Sequence, residues 1–314
     1  MKSKLKLFSL LLIFFFLANK TFSNDIKFEA KEIIIKEDGN FIEAKNDARI
    51  EASNGVEIKS DNFSYDKIKS VAYVNGNVII FDLKNNIYIT GDKFIYFKND
   101  EKIISESNVN INIDKKYFIK ADNIEYSIKE KTILSNSKTK MKDNDGNSFD
   151  VSKFKFLVSE KLFNGEKLIF LDNHDNEYIF ENAIVRLTDK QILGKDFQLN
   201  FNKKTFGNID QDPRLKGNSV IVKNDSTTVK KGVFTTCKKN NDKCPPWVMH
   251  ADEVKHNKLK KIIEYKNAWL KVYDTPVFYF PKFFHPDPTV KRQSGFLIPK
   301  LLSSNSLGTS FEIP

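Results

Sequence analysis

The sequence predicts an all-β fold made by stacking repeats, a β-jellyroll or a β-solenoid, and three observations carry the prediction. A short phrase recurs through residues 24–200 at the kind of period that marks stacked architectures. Its copies begin at Phe28, Ile58, Ile89, Ile119 and Phe149, so the spacings are 30, 31, 30 and 30 residues. Within a copy, Val109, Ile111 and Ile113 alternate with Asn108, Asn110 and Asn112, a period of two with one wet face. The alternation then slips: Ile119 and Ala121 share one parity, Ile124 and Tyr126 the other, and the same slip separates Ile58 and Ser60 from Phe63 and Tyr65. Side chains alternate faces along a strand, so a recurring slip calls for a bulge or corner at the same place in every repeat.

In chain order, residues 1–23 read as a signal peptide. Lys2, Lys4 and Lys6 form a basic start, Leu10 to Leu17 an apolar core too short to span a bilayer, and Ser23 a small residue suited to cleavage. An N-terminal anchor is the alternative. Each repeat then supplies two strands. Asn75-Gly76 aligns with Ser-Asn and Ser-Lys in later copies and reads as strand with a small residue facing in; turns are expected at Asp38-Gly39, Asn54-Gly55, Asp145-Gly146 and Asn164-Gly165. Ile192 to Leu199 is a degraded copy. Over 201–231 the pattern fades, with loops at Asp210 to Pro213 and Lys216 to Asn218 and edge strands at Val220 to Val222 and Ser226 to Val229. Between Thr275 and Pro299, Pro276, Pro281, Pro286, Pro288 and Pro299 stand among aromatic residues. Proline has no backbone donor, so most of this run is expected to be irregular.

The inward row includes Ile58, Ile80, Ile89, Val109, Ile111, Ile119 and Ile124. It is either the core of an ordinary solenoid or a continuous apolar groove. The formal charge is +10, and removing Lys2, Lys4, Lys6 and Lys20 with the signal leaves 10 − 4 = +6. Lys230 to Lys271 holds 11 lysines against 4 acids, 11 − 4 = +7. This local basic surface suits lipid phosphates or a membrane face, or is an ordinary solvated lysine-rich surface; export disfavours nucleic acid. Cys237 and Cys244 are disulfide candidates in an exported chain. With His250 and His256 they lack the spacing of a zinc module, and Asp143, Asp145 and Asn147 fit a turn better than a calcium loop, so no metal and no cofactor is expected. No catalytic signature is found, and no enzyme is predicted.

Several motifs in order carry a resemblance: Cys244 to Trp247 (CPPW), Asn267 to Trp269 (NAW), Pro276 to Pro281 (PVFYFP), His285 to Arg292 (HPDPTVKR) and Ser294 to Pro299 (SGFLIP). They resemble the LptD (OstA) family of LPS-assembly proteins, most closely its alphaproteobacterial form, over 232–314 closely and over the repeats more loosely. The resemblance implies a periplasmic LptA/OstA-like β-jellyroll over 24–231, a junction over 232–290, and the first strands of an incomplete, truncated outer-membrane β-barrel over 291–314, with strands at Ser294 to Lys300 and Leu307 to Pro314. It implies transport of lipopolysaccharide to the outer leaflet, with the groove row receiving acyl chains. Pro299 and Pro314 would be lateral-gate prolines and Lys291 and Arg292 would lie at the periplasmic rim. The cysteines would pair locally or with a segment beyond. Implied partners are lipopolysaccharide, an LptE-like lipoprotein, an LptA-like periplasmic bridge protein, the barrel-assembly machinery and the outer membrane, with no nucleic acid. The rivals are a freestanding periplasmic bridge protein of the same type and a carbohydrate-binding or carbohydrate-active β-solenoid.

Overall fold

A computed structural model describes residues 26–52, 55–105, 107–204, 211–239, 245–287, 290, 300–304 and 308–312. Two short edge strands, β1 (Lys27–Glu29) and β2 (Glu32–Lys36), lie along β3 (Phe41–Glu51). Antiparallel rungs β4 (Val56–Asp66), β5 (Val71–Asp82) and β6 (Ile87–Phe97) follow. The next rungs are each broken in the middle: β7 (Lys102–Ser105) and β8 (Val109–Ile113), β9 (Tyr117–Ala121) and β10 (Glu125–Ser127), β11 (Thr132–Ser135) and β12 (Thr139–Asp143), β13 (Ser148–Val151) and β14 (Lys153–Leu157). Full-length rungs resume with β15 (Leu162–Leu171), β16 (Glu177–Arg186), β17 (Gln191–Asn200), β18 (Arg214–Val222) and β19 (Ser226–Thr235). β20 (Trp247–Asn257), β21 (Ile262–Val272) and β22 (Thr275–Pro286) end the stack. A separate hairpin pairs β23 (Lys300–Ser304) with β24 (Gly308–Glu312).

The parity slip is visible as a line of bulges. Registers shift between Lys45 and Ala48, Lys59 and Asn62, and Asn75 and Val78. Asn46, Asp47, Gly76 and Asn77 sit there with φ of 61, 55, 80 and 45°, a left-handed conformation that Gly and Asn adopt at low cost. Each rung therefore bends, and its two halves lie in two different sheets. In the broken rungs, β7, β10, β11 and β14 pair in one sheet and β8, β9, β12 and β13 in the other. Both arms rejoin at β6 and β15, closing a hydrogen-bonded ring of ten strands. The architecture is a β-jellyroll, a two-sheet sandwich closed along the bend line.

Facing residues make one inward row per sheet. In the first, Ile58, Ile80, Ile89, Ile111 and Ile119 are consecutive cross-strand partners, and the row continues through Met141, Phe149, Phe170, Tyr178 and Leu199. In the opposite sheet the row runs Tyr96, Ile103, Tyr126, Ile133, Phe156, Phe163, Val185, Ile192 and Val222. All belong to one buried cluster. Burying side chains of this size stabilises by about 1.5–3 kcal/mol each.

Several expectations are corrected. Thr275–Pro286 is a strand, not an irregular run. Its prolines stand where the ladder is interrupted or ending: Pro276 beside the shift at Leu270/Lys271, Pro281 without a register partner on the bend line, and Pro286 in the last pair. Among the described residues β22 pairs only with β21, so it is an edge that tolerates missing donors. Asn164-Gly165 is the interior of β15, because Gly165 lets Val151 and Leu168 approach a position where a Cβ would crowd both. Lys216 to Asn218 lies inside β18 rather than in a loop, and the edge strands expected nearby are full rungs β18 and β19. Gly76 is in a strand as expected, but it stands against Asp61 in the bulge rather than facing the core. Within the stretch read as a junction, β20, β21 and β22 pair in turn onto β19. The first strand of the last hairpin begins at Lys300; residues 294–299 lie outside the described residues.

Two outcomes follow. Gly194→Val should cost about 1–3 kcal/mol in urea unfolding, because its Cβ would overlap the Phe180 ring. Burial raises the Tyr96 phenol to about 12. The stabilisation from keeping this phenol neutral is complete below the unfolded value near pH 10 and is lost as pH rises through about 12. Stability should fall across that window by up to about 3 kcal/mol, and Tyr96→Phe should flatten the fall.

Candidate functional site

The side of the sandwich opposite the bend line is a mouth, where strand ends and turns from the two sheets face each other. Towards the N-terminus it is tied shut. The Tyr126 hydroxyl donates across it to Asp82, whose carboxylate also accepts from the side-chain amide of Asn85 at 2.6 Å. Burial, then the bond to Asp82, raises the Tyr126 phenol. Lys161 Nζ lies 2.8 Å from Asp114 Oδ2 and 3.4 Å from the Asn85 carbonyl. One repeat later Lys190 pairs with Asp145, which holds the lysine above its ordinary range. The Tyr117 hydroxyl donates to the Leu187 carbonyl at 3.0 Å.

One lip of the mouth is stiffened by asparagine and aspartate turns. Asp143 Oδ1 accepts from the backbone N–H groups of Asp145 and Asn147 at 2.9 Å each. Asp172 does the same for His174 and Asn176, again at 2.9 Å. Asn147 Oδ1 then accepts from Asn173 N at 3.2 Å and Asn176 Oδ1 from Asn202 N at 3.0 Å, tying each turn to the next. These side chains are turn caps, as the sequence reading of Asp143 to Asn147 expected.

A cavity of about 650 Å³ starts at the Lys190–Asp145 and Tyr117–Leu187 ties, which help to line it, and extends along the stack past them. Phe149, Phe170 and Tyr178 line it from one inward row, and Val185, Ile192 and Val222 from the other. Phe149 and Phe170 are stacked with centroids 4.7 Å apart, and Phe170 meets Tyr178 at 5.0 Å. Lys223, Lys258 and Lys261 stand at the rim opposite the Asp172 turn. Burial lowers the Lys258 ammonium, and the charges of Asp172 and Asp225 partly offset this. Among the described residues none of these three lysines forms an ion pair within 4 Å. His256 pairs with Asp287 at the far end, and Tyr265 bonds His285 Nε2 at 2.9 Å. The interior is apolar and the rim carries both signs, lysines on one lip and Asp143, Asp145 and Asp172 on the other; the lysine lip is the part that suits the anionic head of an amphiphile.

All seven groove candidates face the interior: Ile58, Ile80, Ile89, Val109, Ile111, Ile119 and Ile124 are at most 2% exposed. None of them lines the cavity, which lies further along the row they begin. The aromatic lining was missed, although the fifth repeat signals it by placing Phe149 where the second, third and fourth copies have Ile58, Ile89 and Ile119. His250 and His256 fall on opposite faces, in an outer row with Trp269 and an inner row with Ile263 respectively. Cys237 is half-buried, its Sγ 3.8 Å from the Trp247 carbonyl. Cys244, Lys291, Arg292, Pro299 and Pro314 lie outside the described residues.

If the ion pairs hold the mouth, spin labels at Lys115 and Glu160 should report one short distance. The Asp114→Asn, Asp145→Asn double variant should broaden and lengthen it. An unchanged distribution would show that the bend line alone sets the opening.

No family model matches the chain. Among curated relatives, LPS-assembly protein LptD of Pasteurella multocida is 28% identical over 144 residues, 45% of this chain and 17% of that protein. That of Alcanivorax borkumensis is 31% identical over 105 residues, 33% of this chain and 13% of that protein. That of Yersinia pestis (strain Antiqua) is 35% identical over 88 residues, 28% and 11% respectively. The chain thus matches between about a tenth and a sixth of these proteins' length. Among solved structures, the crystal structure of LptH, the LptA homologous periplasmic component of the lipopolysaccharide transport device of Pseudomonas aeruginosa, matches at 11% identity with a TM-score of 0.21. It covers 46% of this chain and 82% of that one, an overlap too slight to carry an argument. On these sequence relatives, together with its all-β jellyroll, the chain carries an LptD-like N-terminal region.

Proposed function

We propose that this chain is the N-terminal part of an LPS translocon subunit, a non-enzymatic transport protein that receives lipopolysaccharide acyl chains between its two sheets. The observation that carries the reading is the cavity, with one aromatic and one aliphatic wall and with Lys223, Lys258 and Lys261 at its rim, none of them in an ion pair within 4 Å among the described residues. Acyl chains fit the walls, and phosphorylated sugars fit the lysines. The buried row from Ile58 to Ile119 is the part of the path that must part to admit a chain.

The same reading assigns the rest of the molecule. Residues 1–23 export the chain, the stack occupies the periplasm, and β23–β24 begin a barrel in the outer membrane. Pro299 and Pro314 weaken its seam, since each removes a ladder donor, and Lys291 and Arg292 mark its rim. Cys237 and Cys244 form a disulfide, with each other or with a further segment. An LptA-like bridge protein docks at the N-terminal edge, where β1 and β2 pair with β3 alone among the described residues and Ile33 and Ile35 are exposed. An LptE-like lipoprotein and the barrel-assembly machinery are the partners of the barrel.

The test is photo-crosslinking to lipopolysaccharide from benzoylphenylalanine placed at Leu187, on the cavity wall, and at Ile184, on the outer face. Labelling is expected from Leu187 only. Lys258→Met should reduce it about tenfold, the loss of one charge-assisted contact. Equal labelling from both positions would reject the cavity as the lipid site.

A further inference from the structure

The last hairpin of the stack, β21–β22, gathers exposed apolar side chains that the cavity does not use. Trp269, Val272, Tyr273, Val277, Phe278 and Tyr279 are all exposed, Tyr273 by 70% and Phe278 by 58%. Single exposed hydrophobics are ordinary, but a contiguous group marks a contact surface.

Two features narrow what covers this one. Trp269 and Tyr279 are cross-strand partners on the outer face with centroids 4.9 Å apart. The Tyr279 hydroxyl donates to Asn267 Oδ1 at 3.1 Å. Each ring therefore has an apolar body and a polar tip. The outer row they end runs from Lys216 through Val233 and His250, with Lys271 two residues past Trp269 and Lys282 three past Tyr279. Among the described residues Lys216, Lys271 and Lys282 have no carboxylate within 4 Å. Burial, then the charge of Lys271, keeps the intervening His250 neutral more readily than usual, with Asp274 at the tip partly opposing this, so the row's positive charge comes from its lysines.

Amphipathic rings at a hairpin beside three lysines outside any ion pair among the described residues, with Asp274 the acid of the tip, match the interfacial zone of an anionic bilayer. Rings of this kind rest at headgroup level while lysines meet lipid phosphates. We propose that the β21–β22 hairpin docks the jellyroll on an anionic lipid surface, its 272–279 tip dipping among the headgroups. This contact is on the outer face and is separate from the cavity; it rests on the proposed function only for the presence of a membrane.

The chain has two tryptophans, Trp247 and Trp269, so Trp247→Phe in the full chain leaves Trp269 as the sole reporter. Vesicles of phosphatidylethanolamine and phosphatidylglycerol with brominated acyl chains should shift its emission to the blue and quench it. Tyr273→Ser with Phe278→Ser should weaken vesicle binding about tenfold while crosslinking from Leu187 is unchanged. Unquenched Trp269, or undiminished binding by the double variant, overturns the proposal. So does Trp269 emission already blue and acrylamide-protected without vesicles, which would show that the patch is covered by this chain or a second copy. Quenching retained while Leu187 fails to label lipopolysaccharide upholds the docking surface and overturns the cavity reading instead.

Discussion

The bend in the middle of every rung is the constraint on which the rest of the structure depends. A straight rung would leave a single sheet with one apolar face and nothing to cover it. The out-of-register step moves the inward parity to the other side of the strand, so both halves of a rung point into the same space. One continuous ladder thereby supplies both walls of a sandwich. The residues that permit the step are modest: Asn46, Asp47, Gly76 and Asn77 in the left-handed region, then outright breaks between β7 and β8 and between β9 and β10. Where the breaks occur, the two sheets are free to diverge until β15 reunites them.

The bend line closes one side and leaves the mouth opposite to be settled by polar chemistry. Over the early rungs, tyrosine and lysine side chains reach across to Asp82, Asp114 and Asp145. Past Lys190 the rim lysines have no such partner among the described residues, and the two rows exchange character: the first turns from branched aliphatic to aromatic at Phe149, while the opposite one turns from Phe156 and Phe163 to Val185, Ile192 and Val222. The opening and its lining therefore change together, which gives the interior a polarity along the stack. The asparagine-capped turns hold one lip in place, so widening must come from the other.

Much of this was legible in the sequence because the repeat makes its signals local. The slip between Ile58 and Phe63, or between Ile119 and Ile124, named the bend, and the isoleucines named one wall. The errors came where a local rule met a tertiary exception. Proline forbids a strand only where a donor is required, and Pro276, Pro281 and Pro286 stand where none is. Asn-Gly signals a hairpin, but Gly165 is wanted for close approach by Val151 and Leu168. The ties across the mouth were not readable. Lys161 and Asp114 are 47 residues apart and Lys190 and Asp145 are 45, separations fixed by the offset between the two sheets, which no periodicity encodes.

That the ties recur once per repeat has a kinetic consequence. Each is a separate pair on its own turn, so the mouth does not have to open along its whole length at once. The Lys161–Asp114 and Lys190–Asp145 pairs are partly exposed and worth about 0–1 kcal/mol each, whereas the Tyr126–Asp82 bond is buried and stronger. The mouth therefore loosens in steps of unequal cost, rising towards the N-terminal rungs, where the aliphatic rows beneath are also fully packed. A stack made longer by adding repeats with exposed ion pairs would gain rungs without making the parting of any one pair harder.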